Sequence, residues 1–227
     1  TATGVSLHKR GYRQMTAKAP ITETLAAALI MLTPWHKDRI LVDPMCGSGT
    51  FPIEAAMIAA DMAPGMHRTF LAQQWTDLIP KECFDDAFEE ARERVNTDIE
   101  VDIQGYDIDP EVIKAARANA KLAGVDRLIH FQQRDIHDLH HPKKYGFIIC
   151  NPPYGERLDN SRAAHAIAKQ LGILQSRHPG WTLCAFSADM GFEREYGRRA
   201  TRRRRYYNGR IECEYHIFEQ STRGESR

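Results

Sequence analysis

The sequence lacks a membrane-spanning run, a secretory signal and any paired cysteine motif. Among its 227 residues, no apolar stretch approaches the roughly 18 residues that a transmembrane helix needs. The amino terminus is polar and basic, unlike a signal peptide. The five cysteines are scattered, with no Cys-x-x-Cys pair, which argues against a disulfide scaffold and a zinc ribbon. We therefore expect a cytoplasmic protein with no membrane partner.

A large excess of one charge is also missing. The 31 Lys and Arg residues are offset by 30 Asp and Glu residues, giving a formal net charge of +1, so overall charge does not identify a nucleic-acid-binding protein. The distribution is more informative, because residues 8–13 and 198–205 are strongly basic. We predict RNA phosphate contacts for Arg10, Arg13, Arg202, Arg203, Arg204 and Arg205. For the run at 202–205, a solvated edge strand protected by its charge is an equally good interpretation.

The length and the order of apolar runs predict a single large α/β domain. Short apolar runs alternate with helical segments, as in parallel sheets built from strand–helix units. The predicted strands cover residues 39–43, 102–107, 128–132, 147–150 and 181–186. Asn208-Gly209 then predicts a closing hairpin from 203 to 219. The expected fold is Rossmann-like, with a seven-stranded, mostly parallel sheet, a C-terminal antiparallel hairpin and helices on both faces.

The domain boundaries follow from the same pattern. We assign residues 1–36 to an N-terminal extension and helix that lead into the fold, with Thr22 as helix cap. Residues 37–227 form the domain itself, with an irregular insert at about 61–81. Because residue 1 is Thr, we expect either a fragment with a missing upstream part or a chain that has lost its initiator Met.

A glycine turn after the first strand predicts a nucleotide-type binding site. The segment Asp43-Pro44-Met45-Cys46-Gly47-Ser48-Gly49-Thr50 lies between a strand and a helix, which is where such sites begin. It is too short for the dinucleotide fingerprint and has no P-loop lysine. Its glycines allow a ligand to approach the backbone, and Asp43 favours a positively charged ligand. S-adenosylmethionine, which carries an ammonium and a sulfonium, meets both requirements.

Two further strand ends complete the predicted cofactor pocket. Asp107 ends the second strand, where an acidic residue is placed to accept both ribose hydroxyls, whereas Asp109 before Pro110 is more simply a helix cap. After the third strand, Asp135-Ile136 is placed to meet the adenine ring. Close by, His137, His140 and His141 resemble a metal cluster, but no second group of ligands supports one, so we expect a solvated loop and no metal.

The segment Asn151-Pro152-Pro153-Tyr154 carries the predicted chemistry. It follows the apolar run 147–150, and its prolines hold the backbone extended and rigid at the strand's carboxyl end. The Asn151 side-chain oxygen and the Pro152 carbonyl are acceptors for the two protons of a planar amino group, and Tyr154 is placed to stack on its ring. Guanine amines, adenine amines and the glutamine amide all present an sp2 nitrogen of this kind, so the acceptor stays open at this point. Methylation at pyrimidine carbon 5 is disfavoured, because Tyr154 stands where a cysteine nucleophile would follow the prolines.

These motifs resemble those of the bacterial 23S ribosomal RNA guanine-N2 methyltransferases, which usually carry an upstream THUMP domain. The match includes residues 43–50, 105–110 and 151–158, together with 7–13, 19–23 and 207–213, so it spans nearly the whole chain. The resemblance implies a class I methyltransferase fold, S-adenosylmethionine as donor with S-adenosylhomocysteine as product, and a guanine amine in 23S ribosomal RNA or a ribosome precursor as acceptor. It also implies an upstream RNA-binding domain in the full-length chain.

The predicted site therefore has two parts. The catalytic residues are Asn151, Pro152, Pro153 and Tyr154. The cofactor-binding residues are Thr22, Glu23, Asp43, Pro44, Cys46, Gly47, Ser48, Gly49, Thr50, Asp107, Ile108, Asp135, Ile136 and Asn151. Two other functions remain open at this point: an N6-adenine or protein glutamine-amide methyltransferase, and an RNA-binding or assembly module that keeps donor affinity without catalysis.

Overall fold

The computed structural model describes residues 2–13, 21–153 and 161–219. Within these ranges seven strands form one sheet in the order β3-β2-β1-β4-β5-β7-β6. The strands are β1 (Ile40–Asp43), β2 (Ile103–Asp107), β3 (Ile129–Gln133), β4 (Gly146–Cys150), β5 (Trp181–Ser187), β6 (Arg202–Asn208) and β7 (Ile211–Phe218). The first five strands run parallel, and β7 is antiparallel to both β5 and β6. The predicted fold class is confirmed.

The helices follow the predicted order, with one addition. They are α1 (Glu23–Met31), α2 (Thr50–Ala59), α3 (Lys81–Arg94), α4 (Pro110–Ala123), α5 (Ser161–Arg177) and α6 (Phe192–Tyr196). Asp109 caps α4, because its carboxylate accepts a hydrogen bond from the Glu111 amide, and Gly124 ends the helix with φ +74°. Helix α6 is too short for a periodic signal and was not predicted. In the described ranges, no helix is both long and apolar enough to span a membrane.

Two apolar layers enclose the sheet, because neighbouring residues on a strand point to opposite faces. Leu41 packs with α1, α2 and α4 on one face, whereas Ile40 and Val42 pack with α5 and α6 on the other. All four residues of β1 are buried, as expected for a central parallel strand covered on both sides. The core therefore holds β1 rigidly, and with it the turn that follows.

The closing hairpin differs from the prediction by one residue. Asn208 pairs with Ile211, so the two central turn residues are Gly209 and Arg210 rather than Asn208 and Gly209. Gly209 has φ +64° and takes the first central position, where a glycine is required in one of the two favoured hairpin turns. Strand β6 lies at the edge of the sheet, so the arginine run is on an exposed strand.

Candidate active site

The site lies where the strand order reverses. The chain proceeds from β1 to β2 and β3 on one side and to β4 and β5 on the other, and ligands of open α/β sheets bind beside such a switch point, at the carboxyl ends of the strands. Val42 pairs with Ile148 across β1 and β4. The glycine turn that follows β1 and the Asn151 loop that follows β4 are consequently neighbours at one edge.

The glycine turn is shaped so that a ligand can contact its backbone. Gly47 and Gly49 have φ of +51° and +88°, a region that residues with a side chain rarely adopt. A Cβ on Gly49 would lie 3.0 Å from the Phe131 ring and 3.1 Å from Ala116 Cβ, so the turn packs directly on α4 and β3. Its left-handed glycine also starts α2, leaving the first amide groups of that helix facing the edge.

A buried amide of α4 fixes this turn. Asn119 donates from Nδ2 to the Ser48 carbonyl at 3.1 Å, and Asn119 is fully buried. The Ser48 hydroxyl is also buried and has no hydrogen-bond partner in the part of the chain that the structure describes. A ligand that hydrogen-bonds this hydroxyl would relieve that cost. Asn119 was not predicted as a site residue, although a lone amide among the alanines of α4 is a signal for a buried polar contact.

Asp43 places a buried carboxylate under the turn. The residue is 2% exposed and its Oδ1 accepts a hydrogen bond from the Met45 amide at 3.1 Å. Burial raises the pKa of Asp43 well above its ordinary value, and the nearby charge of Asp107 raises it further. A positively charged ligand would offset both effects, which fits the ammonium or sulfonium of the predicted donor.

Asp107 is held at the end of β2 by the turn itself. The Gly47 amide donates to Oδ2 at 3.0 Å and the Asp109 amide donates to Oδ1 at 3.1 Å. Burial raises the pKa of this carboxyl as well. Each oxygen retains a second lone pair, so the carboxylate can still accept two vicinal hydroxyls. The adjacent Ile108 side chain is 65% exposed and presents an apolar surface to a flat ring.

Asp135 and Ile136 lie after β3, beside the same edge. Asp135 caps the short 3-10 helix Ile136–Asp138, and its Oδ1 accepts hydrogen bonds from both the backbone and the ring of His137, at 2.8 and 2.6 Å. The hydrogen bond from the His137 backbone amide is the main cause that lowers the pKa of Asp135. The carboxylate therefore remains an acceptor suited to an exocyclic amine, the role predicted for it.

The catalytic segment begins at the end of β4. Cys150 is fully buried and Pro152 is buried behind it, whereas Asn151 and Pro153 are half-buried. Burial raises the pKa of Cys150 and of Cys46 well above the ordinary thiol value, so neither thiol is suited to act as a nucleophile at neutral pH. Tyr154 lies outside the described residues.

Arg10 is buried, which corrects its assignment as an RNA contact. Its guanidinium pairs with Glu54 at 3.3 Å, and the exposed fractions of the two side chains are 10% and 2%. The Tyr12 hydroxyl donates to the same carboxylate at 2.8 Å. A charged residue in the otherwise apolar helix α2 was the signal for this contact, because a charge in such a position needs a buried partner.

Arg13 is likewise directed inward and not toward a phosphate. It lies 3.4 Å from the Glu23 carboxylate and donates to the Thr50 hydroxyl at 2.6 Å and to the Ile21 carbonyl at 2.9 Å. Thr22 starts α1 without a capping hydrogen bond from its side chain. The contact to Thr50 joins residues 10–13 to the first turn of α2. We call this set of contacts, from Arg10, Tyr12 and Arg13 to Glu23, Thr50 and Glu54, the N-terminal brace.

The arginines of β6 are exposed and mostly paired with acidic residues. Arg202 pairs with Glu219, Arg203 with Glu193 and Glu214, and Arg205 with Glu212, at 2.5 to 3.6 Å. For Arg204, no ion pair is found among the described residues. The pairing supports the interpretation of a charge-protected edge strand, and it leaves Arg204 as the residue best placed for a phosphate.

The three histidines predicted to lie in a solvated loop make separate contacts. His137 binds Asp135, whereas the His141 amide donates to the ring of His178 at 3.0 Å and the ring of His140 packs against that of His178. Within the described ranges, no group of three or more His, Cys, Asp or Glu side chains is placed to hold a metal ion.

The geometry agrees with the family that the chain matches. Residues 10–217 match the family described as RMKL-like, methyltransferase domain. The chain belongs to this family. The protein is thus a methyltransferase domain that uses S-adenosylmethionine. The groups that would hold this donor are the buried Ser48 hydroxyl, the backbone of the glycine turn and the carboxylates of Asp43 and Asp107.

Relatives of this RMKL-like domain support the assignment. The chain is 41% identical over 217 residues to YpsC of Bacillus subtilis, which bears the provisional name of an RNA methyltransferase. The match covers 96% of this chain and 56% of YpsC, so the chain spans about half the length of that relative.

Two solved structures are similar over almost the whole chain. SMU.472, provisionally named a methyltransferase and solved with S-adenosylhomocysteine, is 38% identical with a TM-score of 0.91, covering 97% of this chain and 57% of that one. A protein from Listeria monocytogenes, named as a predicted N6-adenine-specific DNA methylase, is 42% identical with a TM-score of 0.89, covering 96% and 56%. The name of YpsC thus gives RNA, whereas the name of the Listeria protein gives DNA and adenine.

Proposed function

We propose that the protein transfers a methyl group from S-adenosylmethionine to the exocyclic N2 amine of a guanine in 23S ribosomal RNA. One observation carries the proposal. The Asn151 loop and the glycine turn follow adjacent strands, β4 and β1, which supports a donor on the turn that presents its methyl group to the acceptors of the loop. The provisional name of YpsC supports RNA as the acceptor, and the resemblance of motifs supports guanine.

The residues of the loop supply positioning. The Asn151 side-chain oxygen and the Pro152 carbonyl accept hydrogen bonds from the two N–H groups of the amine. These bonds turn the nitrogen lone pair out of conjugation with the ring and aim it at the methyl carbon. The nitrogen attacks, the carbon–sulfur bond breaks and the sulfonium leaves as a neutral thioether. The methylated amine then releases its proton to water, because amide oxygens accept hydrogen bonds but are too weakly basic to hold a proton. Positioning of this kind can supply roughly 7–11 kcal/mol of the barrier reduction, so a strong base is not required.

A flipped or single-stranded nucleotide is required by this geometry, because the target amine must reach a pocket at the sheet edge. Tyr154 supplies the stacking surface in this proposal, as the sequence predicts. Buried thiols of raised pKa at Cys46 and Cys150 support an amine acceptor over a carbon acceptor, which would need a thiolate.

The test is to incubate the protein with isotopically labelled donor and undermodified 23S ribosomal RNA, digest the RNA and identify the labelled nucleoside. We expect label in N2-methylguanosine and its loss in Asn151→Ala, with donor affinity retained within a few-fold. Asn151→Ala removes an acceptor that matters mainly in the reacting complex, so the rate falls more than binding does.

N6-adenine methylation is the second candidate, favoured by the name of the Listeria relative. Label in N6-methyladenosine would replace the guanine proposal with it, and label confined to a protein band would favour glutamine-amide methylation. Donor binding without any transfer would favour an RNA-binding module.

A further inference from the structure

Asp189 carries a carboxylate outside the site described so far, at the same edge of the sheet as the Asn151 loop. Cys150 of β4 pairs with Ala185 of β5, so Asn151 and Asp189 both follow strands that end side by side. Parallel neighbours are about 4.8 Å apart. The chain beyond β5 therefore borders the loop that receives the target base.

The turn after β5 fixes the orientation of this carboxylate. The Asp189 amide donates to the Ser187 hydroxyl at 3.0 Å, and Asp189 Oδ1 accepts from the Gly191 amide at 2.8 Å. The Phe192 amide donates to the Asp189 carbonyl at 3.1 Å. With these bonds in place, Oδ2 is the carboxylate oxygen that has no donor among the described residues.

That second oxygen has no hydrogen-bond partner in the described ranges, although it is enclosed. The side chain of Asp189 is 17% exposed, and Nε2 of the His165 ring lies 3.9 Å from Oδ2, beyond hydrogen-bonding distance. An enclosed carboxylate oxygen without a donor is costly unless a donor arrives with a ligand.

We propose that Asp189 reads the N1–H of the target guanine, a role that rests on the proposed function. In guanine, N1–H is the donor next to the C2 amine. Once Asn151 and Pro152 accept hydrogen bonds from both N–H groups of that amine, N1–H is the remaining donor on the same edge of the base. A carboxylate only accepts hydrogen bonds, so it attracts guanine. It repels the N1 lone pair of adenine. Asp189 is thus a specificity-determining residue for guanine over adenine.

A base analogue distinguishes recognition of N1–H by Asp189 from a purely structural role of this residue. Once the methylated guanine is mapped, a synthetic RNA fragment can carry 2,6-diaminopurine there, which keeps the C2 amine but has a lone pair in place of N1–H. We expect the wild-type protein to prefer guanine by roughly 10- to 100-fold in kcat/KM, the range for one hydrogen bond to a charged group.

The informative variant is Asp189→Asn. Its oxygen can still accept from the Gly191 amide, while its amide group can donate to the N1 lone pair of the analogue. We expect activity on guanine to fall about 10- to 100-fold and the preference over diaminopurine to shrink to about threefold or less. Asp189→Ser, which also removes the charge, should shrink the preference in the same way, and thermal melting checks that both variants fold.

Glu195→Gln is the matched control, because Glu195 also lies near His165, at 4.0 Å, but on α6. We expect its base preference to equal that of the wild type. An unchanged guanine preference in folded Asp189→Asn and Asp189→Ser would overturn the role of Asp189 while leaving guanine methylation intact. Transfer by the wild type to adenine alone, or no transfer, would overturn the proposed function and this inference with it.

Discussion

Loss of the Glu54 carboxylate should destabilise the domain far more than loss of an exposed carboxylate. In Glu54→Leu, the Arg10 guanidinium and the Tyr12 hydroxyl lose their common partner while both residues stay buried. Removing one member of a buried ion pair typically costs about 3–5 kcal/mol. For a chain of this size, each kcal/mol shifts Tm by roughly 2–4 °C, so we expect a decrease of roughly 6–20 °C.

The assay is urea unfolding followed by circular dichroism, with thermal melting as a second probe. Glu89→Leu is the matched control, because Glu89 pairs with Arg92 at 2.9 Å on the surface, with 65% and 60% of the side chains exposed. Such a pair contributes about 0–1 kcal/mol. The double variant Arg10→Met, Glu54→Leu should recover much of the loss, since apolar replacement of a whole buried pair is often neutral.

Two results would refute this reasoning. One is a Glu54→Leu variant whose unfolding free energy lies within about 1 kcal/mol of the wild type, the range expected for an exposed pair. The other is a double variant as unstable as the sum of its single changes, which would mean that the two charges do not interact.

Three further predictions concern the ligand sites. Gly105→Ala should cost about 1–3 kcal/mol of stability and weaken S-adenosylhomocysteine binding in calorimetry, because the new Cβ would lie 2.6 Å from the Phe131 ring and 3.2 Å from Cys46 Sγ; unchanged melting and binding would contradict this. Burial raises the pKa of Asp43, so the carboxyl is neutral below that pKa and ionised above it. Donor affinity should therefore rise with pH through a window above the ordinary value of about 3.9. Asp43→Asn should bind more weakly and lose part of that dependence, since burial raises the pKa of Asp107 as well; a wild-type affinity that is flat across the window would contradict this. Changing Arg202–Arg205 to Ser should reduce the steepness with which log K of RNA binding falls with log salt concentration, by about 0.7–0.9 for each lost phosphate contact. Arg204→Ser alone should account for one such contact. An unchanged slope would mean that the arginines only protect the edge strand.

The fold was predictable because its signals are local and repeated. Buried strands such as 147–150 are short apolar runs, and the cap at Asp109 and the stop at Gly124 mark α4 from sequence alone. The Asn-Gly pair predicted a hairpin, but not which residues would be central in the turn. That register depends on pairing between β6 and β7, which is a property of two strands together.

The inward direction of the arginines was not predicted, because Glu54 in an apolar helix signals a buried partner but not which residue that partner is. Arg10 and Arg13 form part of a basic segment that resembles an RNA contact, and only the fold brings them to Glu54, Glu23 and Thr50. Asp189 was missed for a similar reason. The residues around Asp189 in the sequence do not indicate that one of its carboxylate oxygens is enclosed without a donor from the described part of the chain. Only the folded turn after β5 shows this.

The N-terminal brace also has a consequence for protein engineering. Residues 2–13 are anchored outside the brace too, since Arg68 donates to the backbone carbonyls of Thr3, Val5, Ser6 and Lys9. A chimera that joins this domain to a foreign module at the first strand would separate buried charged residues from their partners. The transferable unit includes the segment before α1, so a fusion junction belongs on the amino-terminal side of that segment.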